Sequence, residues 1–144
     1  MTAKRTRAVI RVSALYDFIV TVPFALPWTA AWVFTMLGTV HESLGLAGVT
    51  PSPDDPFTLM FANLMGSIVS VWALFRIMRP SIAAGVADTG ARLLFSLGMT
   101  VALLHGASPL TGVMLALELA WAVAQGLAIV ASARTARTPA TMLT

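Results

Sequence analysis

Four ionisable side chains of this chain sit within long apolar stretches: Asp17, Asp88, Arg92 and Glu118. A charged group in hydrocarbon costs roughly 2.5 kcal/mol or more even on the gentlest insertion scale, so each of the four needs a partner or a task. Asp88 precedes Arg92 by four residues, the favoured order and spacing for an ion pair along one helix. An arginine stays charged, and the candidate partners of Arg92 are Asp88, Asp17 across the bundle, and Glu118. If Asp88 or Asp17 satisfies Arg92, Glu118 is left to hold or exchange a proton, or to serve as a general acid or base. The plainer alternative is a permanent Glu118–Arg92 bridge that fixes helix register and nothing else.

The residues around these four fall into stripes. Thr111, Glu118, Gln125 and Ser132 are seven apart and share a helix side, with Trp121 beside them. The other side carries Gly112, Ala116, Ala120, Ala124 and Ala128, the small-residue spacing that lets membrane helices approach closely. Read as one helix, the first stretch puts Asp17, Thr21, Trp28, Trp32, Thr35 and Thr39 together. Asn63, Ser67 and Ser70 make a third stripe, and Ser81, Asp88, Arg92, Ser96 and Thr100 a fourth. At 1.5 Å per residue, Glu118 lies roughly 14 Å and Arg92 roughly 18 Å from the same membrane face, with Asp88 and Gln125 near ~24 Å. Stripes that converge at these depths give an expected ligand-binding set of Asp17, Trp28, Trp32, Asn63, Asp88, Arg92, Glu118, Trp121 and Gln125. In that set Arg92 attracts an anionic or carbonyl group, and Glu118 is the candidate catalytic residue.

No cysteine is present, which excludes disulfides, thiolate metal sites and a cysteine nucleophile. His41 and His105 both fall at the external ends of their helices. The expectation is interfacial or capping histidines with no metal and no cofactor; the alternatives are a b-type haem between them or a metal ion shared with Glu42, Asp54 or Asp55. There is no HExxH, GxSxG, P-loop or dinucleotide glycine pattern.

These side chains are carried by membrane helices. The 144 residues are 58% hydrophobic and 10% charged, with a mean hydropathy of +0.85. That is the composition of a multi-pass membrane protein. The segment Pro109 to Ala133 has no charge except Glu118 and is long enough to cross the ~30 Å hydrocarbon layer. The expected architecture is all-α: one transmembrane domain over 1–144, an up-down-up-down four-helix bundle with spans near 10–39, 57–78, 82–105 and 109–133 and an external loop at 40–56. Pro23 and Pro27 predict a kink in the first span. The opening Lys4, Arg5 and Arg7 resemble the start of a signal peptide, but the apolar run continues past Trp28 and Trp32, which predicts a retained first helix.

The net charge of +3 comes from Lys and Arg at the ends of apolar runs, a membrane-surface pattern and not a nucleic-acid face. The N-terminal tail, the Arg76–Arg79 turn and Arg134 with Arg137 are basic, whereas the other two connections lack Lys and Arg. Both termini are therefore expected in the cytoplasm of a bacterial-type inner membrane. The run LALELAWAVAQG, residues 115–126, resembles segments of DoxX-like small membrane proteins. That resemblance implies no particular function.

The expected function is a membrane component with a polar bundle interior that binds a small amphipathic molecule, a lipid or a quinone, or serves as an accessory subunit of a larger complex. Two alternatives use the same residues. One is an isomerase-like enzyme in which Glu118 moves a proton on a lipophilic substrate. The other is a proton-coupled transporter acting as a homo-oligomer, with the alanine stripe as its contact surface.

Overall fold

A computed structural model describes residues 2–137. Among them are five α-helices and no extended strand: α1 (Ala3–Thr21), α2 (Pro27–Ser43), α3 (Pro56–Met78), α4 (Ile82–Leu104) and α5 (Leu110–Arg137), with a 3-10 turn at Val22–Ala25. Four segments are long and apolar enough to cross a membrane: Ala3–Ala25, Pro56–Met78, Ile82–Leu104 and Leu110–Thr135. This is an all-helical, multi-pass membrane protein.

The first apolar stretch is two helices where the sequence predicts one kinked helix. Proline accounts for the break. Pro27 has no N–H to donate, and its ring pushes the preceding residue out of the helical region. Leu26 accordingly adopts φ −124°, ψ 135°, and Pro27 opens α2 as its first residue. Ahead of it, Pro23 sits in the 3-10 turn. At the other end α1 starts at Ala3, inside the expected basic tail. The later helices follow the sequence boundaries closely. Asp55 caps α3 by accepting from Phe57 N and Thr58 N, and Ser81 caps α4 by accepting from Ala84 N. α5 continues past Ala133, and residues 138–144 of the expected tail lie outside the described residues.

Burial is inverted relative to a water-soluble domain. The largest fully buried side chains are Arg76, Arg92, Ile10, Gln125, Thr6 and Ser13, so polar groups dominate the centre. Leu94, Val71, Leu97 and Leu127 are more than three-fifths exposed and form the outer surface. Acyl chains solvate such side chains as well as a protein core does, so sequestering polar groups becomes the stronger organising force.

The helices associate as two units. α1 packs on α3, and the 3-10 turn and α2 pack on α3 as well; α4 packs on α5; α1 then joins the units through α5. α3 and α4 are splayed despite the three-residue turn between them. From the sequence, the short connection between them predicts antiparallel neighbours. At the far end the loop before α3 is fastened to the α4–α5 turn. Val49 N donates to Gly106 O (2.9 Å), Ser108 N donates to Val49 O (2.8 Å), and His41 Nδ1 lies 2.8 Å from Ser108 Oγ.

Candidate functional site

α1, α3, α4 and α5 each contribute at least one charge to a single buried cluster. Arg92 on α4 engages all three carboxylates at once. Its Nε donates to Asp88 Oδ2 (3.1 Å), its Nη1 to Glu118 Oε2 (2.7 Å), and its Nη2 to both oxygens of Asp17 (2.6 Å each) and to Ser13 Oγ (3.0 Å). Every nitrogen of Arg92 is therefore occupied, which corrects the expectation that it attracts an anionic group.

Arg76 is the second cation, and it is fully buried. Its Nη2 lies 2.5 Å from Asp17 Oδ2 and its Nη1 2.8 Å from Asp88 Oδ2. The sequence pointed to a surface charge marking the end of α3. Because Arg76 is near the helix end, its long side chain can turn back toward the carboxylates instead of reaching the headgroups. Its Nε has no partner among the described residues.

Neutral donors hold the carboxylates in place. Gln125 Nε2 donates to Asp88 Oδ2 (3.0 Å), Gly85 O (2.9 Å) and Thr89 Oγ1 (3.0 Å), while its Oε1 accepts from Ser13 Oγ (3.0 Å). Trp72 Nε1 donates to Asp88 Oδ1 (3.2 Å). Thr21 Oγ1 donates to Asp17 O (2.7 Å) and lies 3.3 Å from Ser70 Oγ. Four side chains, Trp72, Arg76, Arg92 and Gln125, thus fix Asp88, whereas Glu118 meets Arg92 alone among the described charges.

A cavity of about 330 Å³ lies beside the cluster, between α3 and α4. Asp17, Asp88, Arg92 and Glu118 form one edge of it; Met65, Ile68, Trp72, Phe95, Met99 and Met114 make up much of the remaining wall. The wall is thus chiefly apolar, where the stripes had suggested a polar interior.

Of the expected ligand-binding residues, Asp17, Asp88, Arg92 and Glu118 reach the cavity, and Gln125 stands behind it as a positioning residue. Trp121 is placed elsewhere, its ring 5.7 Å from that of Tyr16 on α1. Trp28 and Trp32 face outward, 68% and 62% exposed. The break at residues 22–26 resets the phase of α2, so the stripe drawn through a continuous helix does not exist. Asn63 is committed to that break: its Nδ2 donates to Ala25 O (2.6 Å) and Phe24 O (3.4 Å). In an uninterrupted α-helix those carbonyls would accept from the N–H groups of Trp28 and Thr29, four residues on. Ser13, Trp72, Arg76 and Thr89 are cluster residues that the stripes did not assign to it.

His105 Nδ1 sits 2.8 Å from Val101 O on its own helix, and His41 is engaged with Ser108. Among the described residues no group of three or more histidine, aspartate or glutamate side chains is arranged to hold a metal ion.

No family model, curated protein or solved structure matches this chain. The functional argument accordingly rests on geometry, and the likeness of residues 115–126 to DoxX-like proteins carries nothing further.

Proposed function

We propose that this protein binds a small amphipathic molecule in the cleft between α3 and α4, with the apolar part along Ile68, Phe95 and Met99 and the polar head against Asp17, Asp88 and Glu118. The observation that carries this reading is the cavity itself, whose apolar walls end on a charged edge. Its volume, about 330 Å³, falls in the ~300–1,000 Å³ range of small-molecule sites, and a few convergent polar groups on an apolar lining are their usual make-up. The splay of α3 and α4 supports entry from the bilayer, where a lipid or quinone is dissolved. The cluster is too thoroughly cross-bonded to serve as a loose conduit, and its rigidity supports the holding of one head group in one orientation.

The same reading includes four crossings in alternating directions, with both termini on the cytoplasmic side. It is supported by contacts at the two ends. Arg11 Nε donates to Ile77 O (3.1 Å) and Thr6 Oγ1 to Ala128 O (3.2 Å), so the basic start of α1 lies with the ends of α3 and α5. The end carrying Glu42, Asp54 and Asp55 is the one without Lys or Arg.

The test is analysis of co-purified small molecules by mass spectrometry after mild solubilisation, for the wild type and for Ala91→Trp. Ala91 lines the cavity, and an indole there fills much of it. The expected result is an amphipathic species enriched over bulk lipid in the wild type and lost from the variant. Identical extracts from two equally folded preparations would remove the proposal.

A further inference from the structure

The proposed pocket has a sign. Among the described residues the cluster contains three carboxylates, Asp17, Asp88 and Glu118, against two guanidiniums, Arg76 and Arg92. Asp17 and Asp88 each contact both cations, which uses up the two positive charges. Glu118 shares only Arg92, and its side chain, at 14%, is the most exposed of the three. One negative charge is therefore in excess, and it belongs to the most exposed of the three carboxylates that line the cavity. No nitrogen of Arg92, the arginine in the cavity wall, is left to receive an anionic ligand, and the unpartnered Nε of Arg76 is buried away from the cavity lining.

An uncompensated charge at this depth is costly, so the empty site requires either a proton or a cation. On α1 the groups near Glu118 are Asp17 and the Tyr16 phenol; from α4 come Asp88 and Arg92; Arg76 on α3 reaches it only through Asp17 and Asp88. None of them supplies the missing positive charge. The lining supplies two further features suited to an organic cation: the aromatic ring of Phe95, of the kind that attracts ammonium groups, and soft methionine side chains, which accommodate varied shapes. The Trp72 ring is already engaged, stacked on Phe75 and 5.7 Å from the Arg76 guanidinium.

We propose that the cavity selects amphiphiles with a cationic head, such as a lipophilic amine or quaternary ammonium, and that the cation enters in exchange for a proton on Glu118. This rests on the binding role proposed above and adds the charge of the ligand and what it displaces. The exchange balances: one positive head group arrives, the Glu118 carboxyl loses one proton to solvent, and the net charge of the buried cluster with its occupant is unchanged.

The experiment compares three probes with the same tail, decyltrimethylammonium, decanol and decyl sulfate, binding to protein in phosphatidylcholine nanodiscs, with empty nanodiscs subtracted. The ammonium is expected to bind at least about tenfold more tightly than decanol in mildly alkaline buffer, a difference of one decade. Decyl sulfate should bind no better than to empty discs. Displacement of one proton weakens ammonium binding by about tenfold per pH unit on the acid side of the Glu118 titration, and the wild type should release one proton per cation into weakly buffered medium. Glu118→Gln should keep decanol binding while losing the ammonium preference and the proton release.

Saturable decyl sulfate binding as strong as that of the ammonium would overturn the sign, and ammonium binding without proton release would overturn the exchange; either leaves the cavity reading intact. Failure of all three probes to bind above empty discs would overturn the proposed function and this inference with it. Proton release is read on the wild type, so the result does not depend on how the variant folds.

Discussion

Asp17 and Glu118 carry the same functional group and touch the same arginine, yet their removal should have very different effects. Asp17 lies between two buried guanidiniums, 2.5 Å from Arg76 and 2.6 Å from Arg92. Asp17→Asn would turn an amide donor or a weak acceptor toward both. Breaking a buried pair by removing one partner typically costs about 3–5 kcal/mol, and a loss of that order is expected in detergent thermal unfolding. Glu118→Gln instead has the shape and charge of a protonated Glu118, and should cost less than about 1.5 kcal/mol, the net worth of a typical hydrogen bond. Equal destabilisation by the two would mean that Glu118 is an obligatory ion-pair partner. At this scale the sequence was informative about Arg92, because the i, i+4 spacing from Asp88 fixes one contact and the depths of Asp17 and Glu118 allow the other two. Arg76 was not legible. An arginine two residues from a helix end has the same sequence signature whether its flexible side chain points to headgroups or back into the bundle, and the carboxylates that decide between the two come from α1 and α4.

Among the elements, the break between α1 and α2 is the feature on which most else depends. Pro27 makes it inevitable, but its placement against α3 requires Gly66. A Cβ at that position would lie 2.5 Å from both the carbonyl carbon and the Cβ of Phe24. Gly66→Ala should therefore destabilise by about 1–3 kcal/mol, as overpacking does, since the obstructing atoms include backbone. Gly98→Ala meets nothing within 4 Å and serves as the control, expected to be neutral or stabilising by up to about 1 kcal/mol through helix propensity. Thermal unfolding of both variants decides the matter. The two prolines announced an irregularity from sequence alone, but not that it would separate Trp28 and Trp32 from the cluster. A bend keeps the faces of a helix in register, whereas an extended residue such as Leu26 discards it. The start of α3 gives a pH-dependent case. Hydrogen bonds from the Thr58 side chain and backbone, and from Phe57 N, hold the Asp55 carboxyl below its ordinary pKa. A lowered folded-state pKa contributes stability that is present above the ordinary carboxylate value and disappears as the pH falls through the folded value. The acid limb of a pH–stability curve should carry this contribution in the wild type and lose it in Asp55→Asn, which can still cap the helix without titrating.

For the molecule as a whole, the inverted burial was legible because composition alone required lipid outside and polar groups within. Which helices pair was not, because polar stripes show that a face is buried without naming the partner that buries it. The arrangement of the helices gives the orientation proposal more support than charge counting alone, and changes one of its entries. Arg76 drops out of the positive-inside count, since it lies in the cluster. Lys4, Arg5, Arg7, Arg11 and Arg79 remain at the end where Arg11 meets the Ile77 carbonyl, and bilayer insertion responds to such residues near the membrane ends. The absence of cysteine makes a direct test available, because any thiol introduced is unique. Ser52→Cys places one in the exposed loop before α3, and Thr2→Cys places one just ahead of α1. In intact cells a membrane-impermeant maleimide should label Ser52→Cys readily and Thr2→Cys only after permeabilisation. The reverse pattern would invert the protein in the membrane and direct its basic end outward. Labelling of both without permeabilisation would put the two ends on one side, which an odd number of crossings between residues 2 and 52 does not permit, and the helix break at Leu26 would then mark a re-entrant turn in place of a membrane crossing.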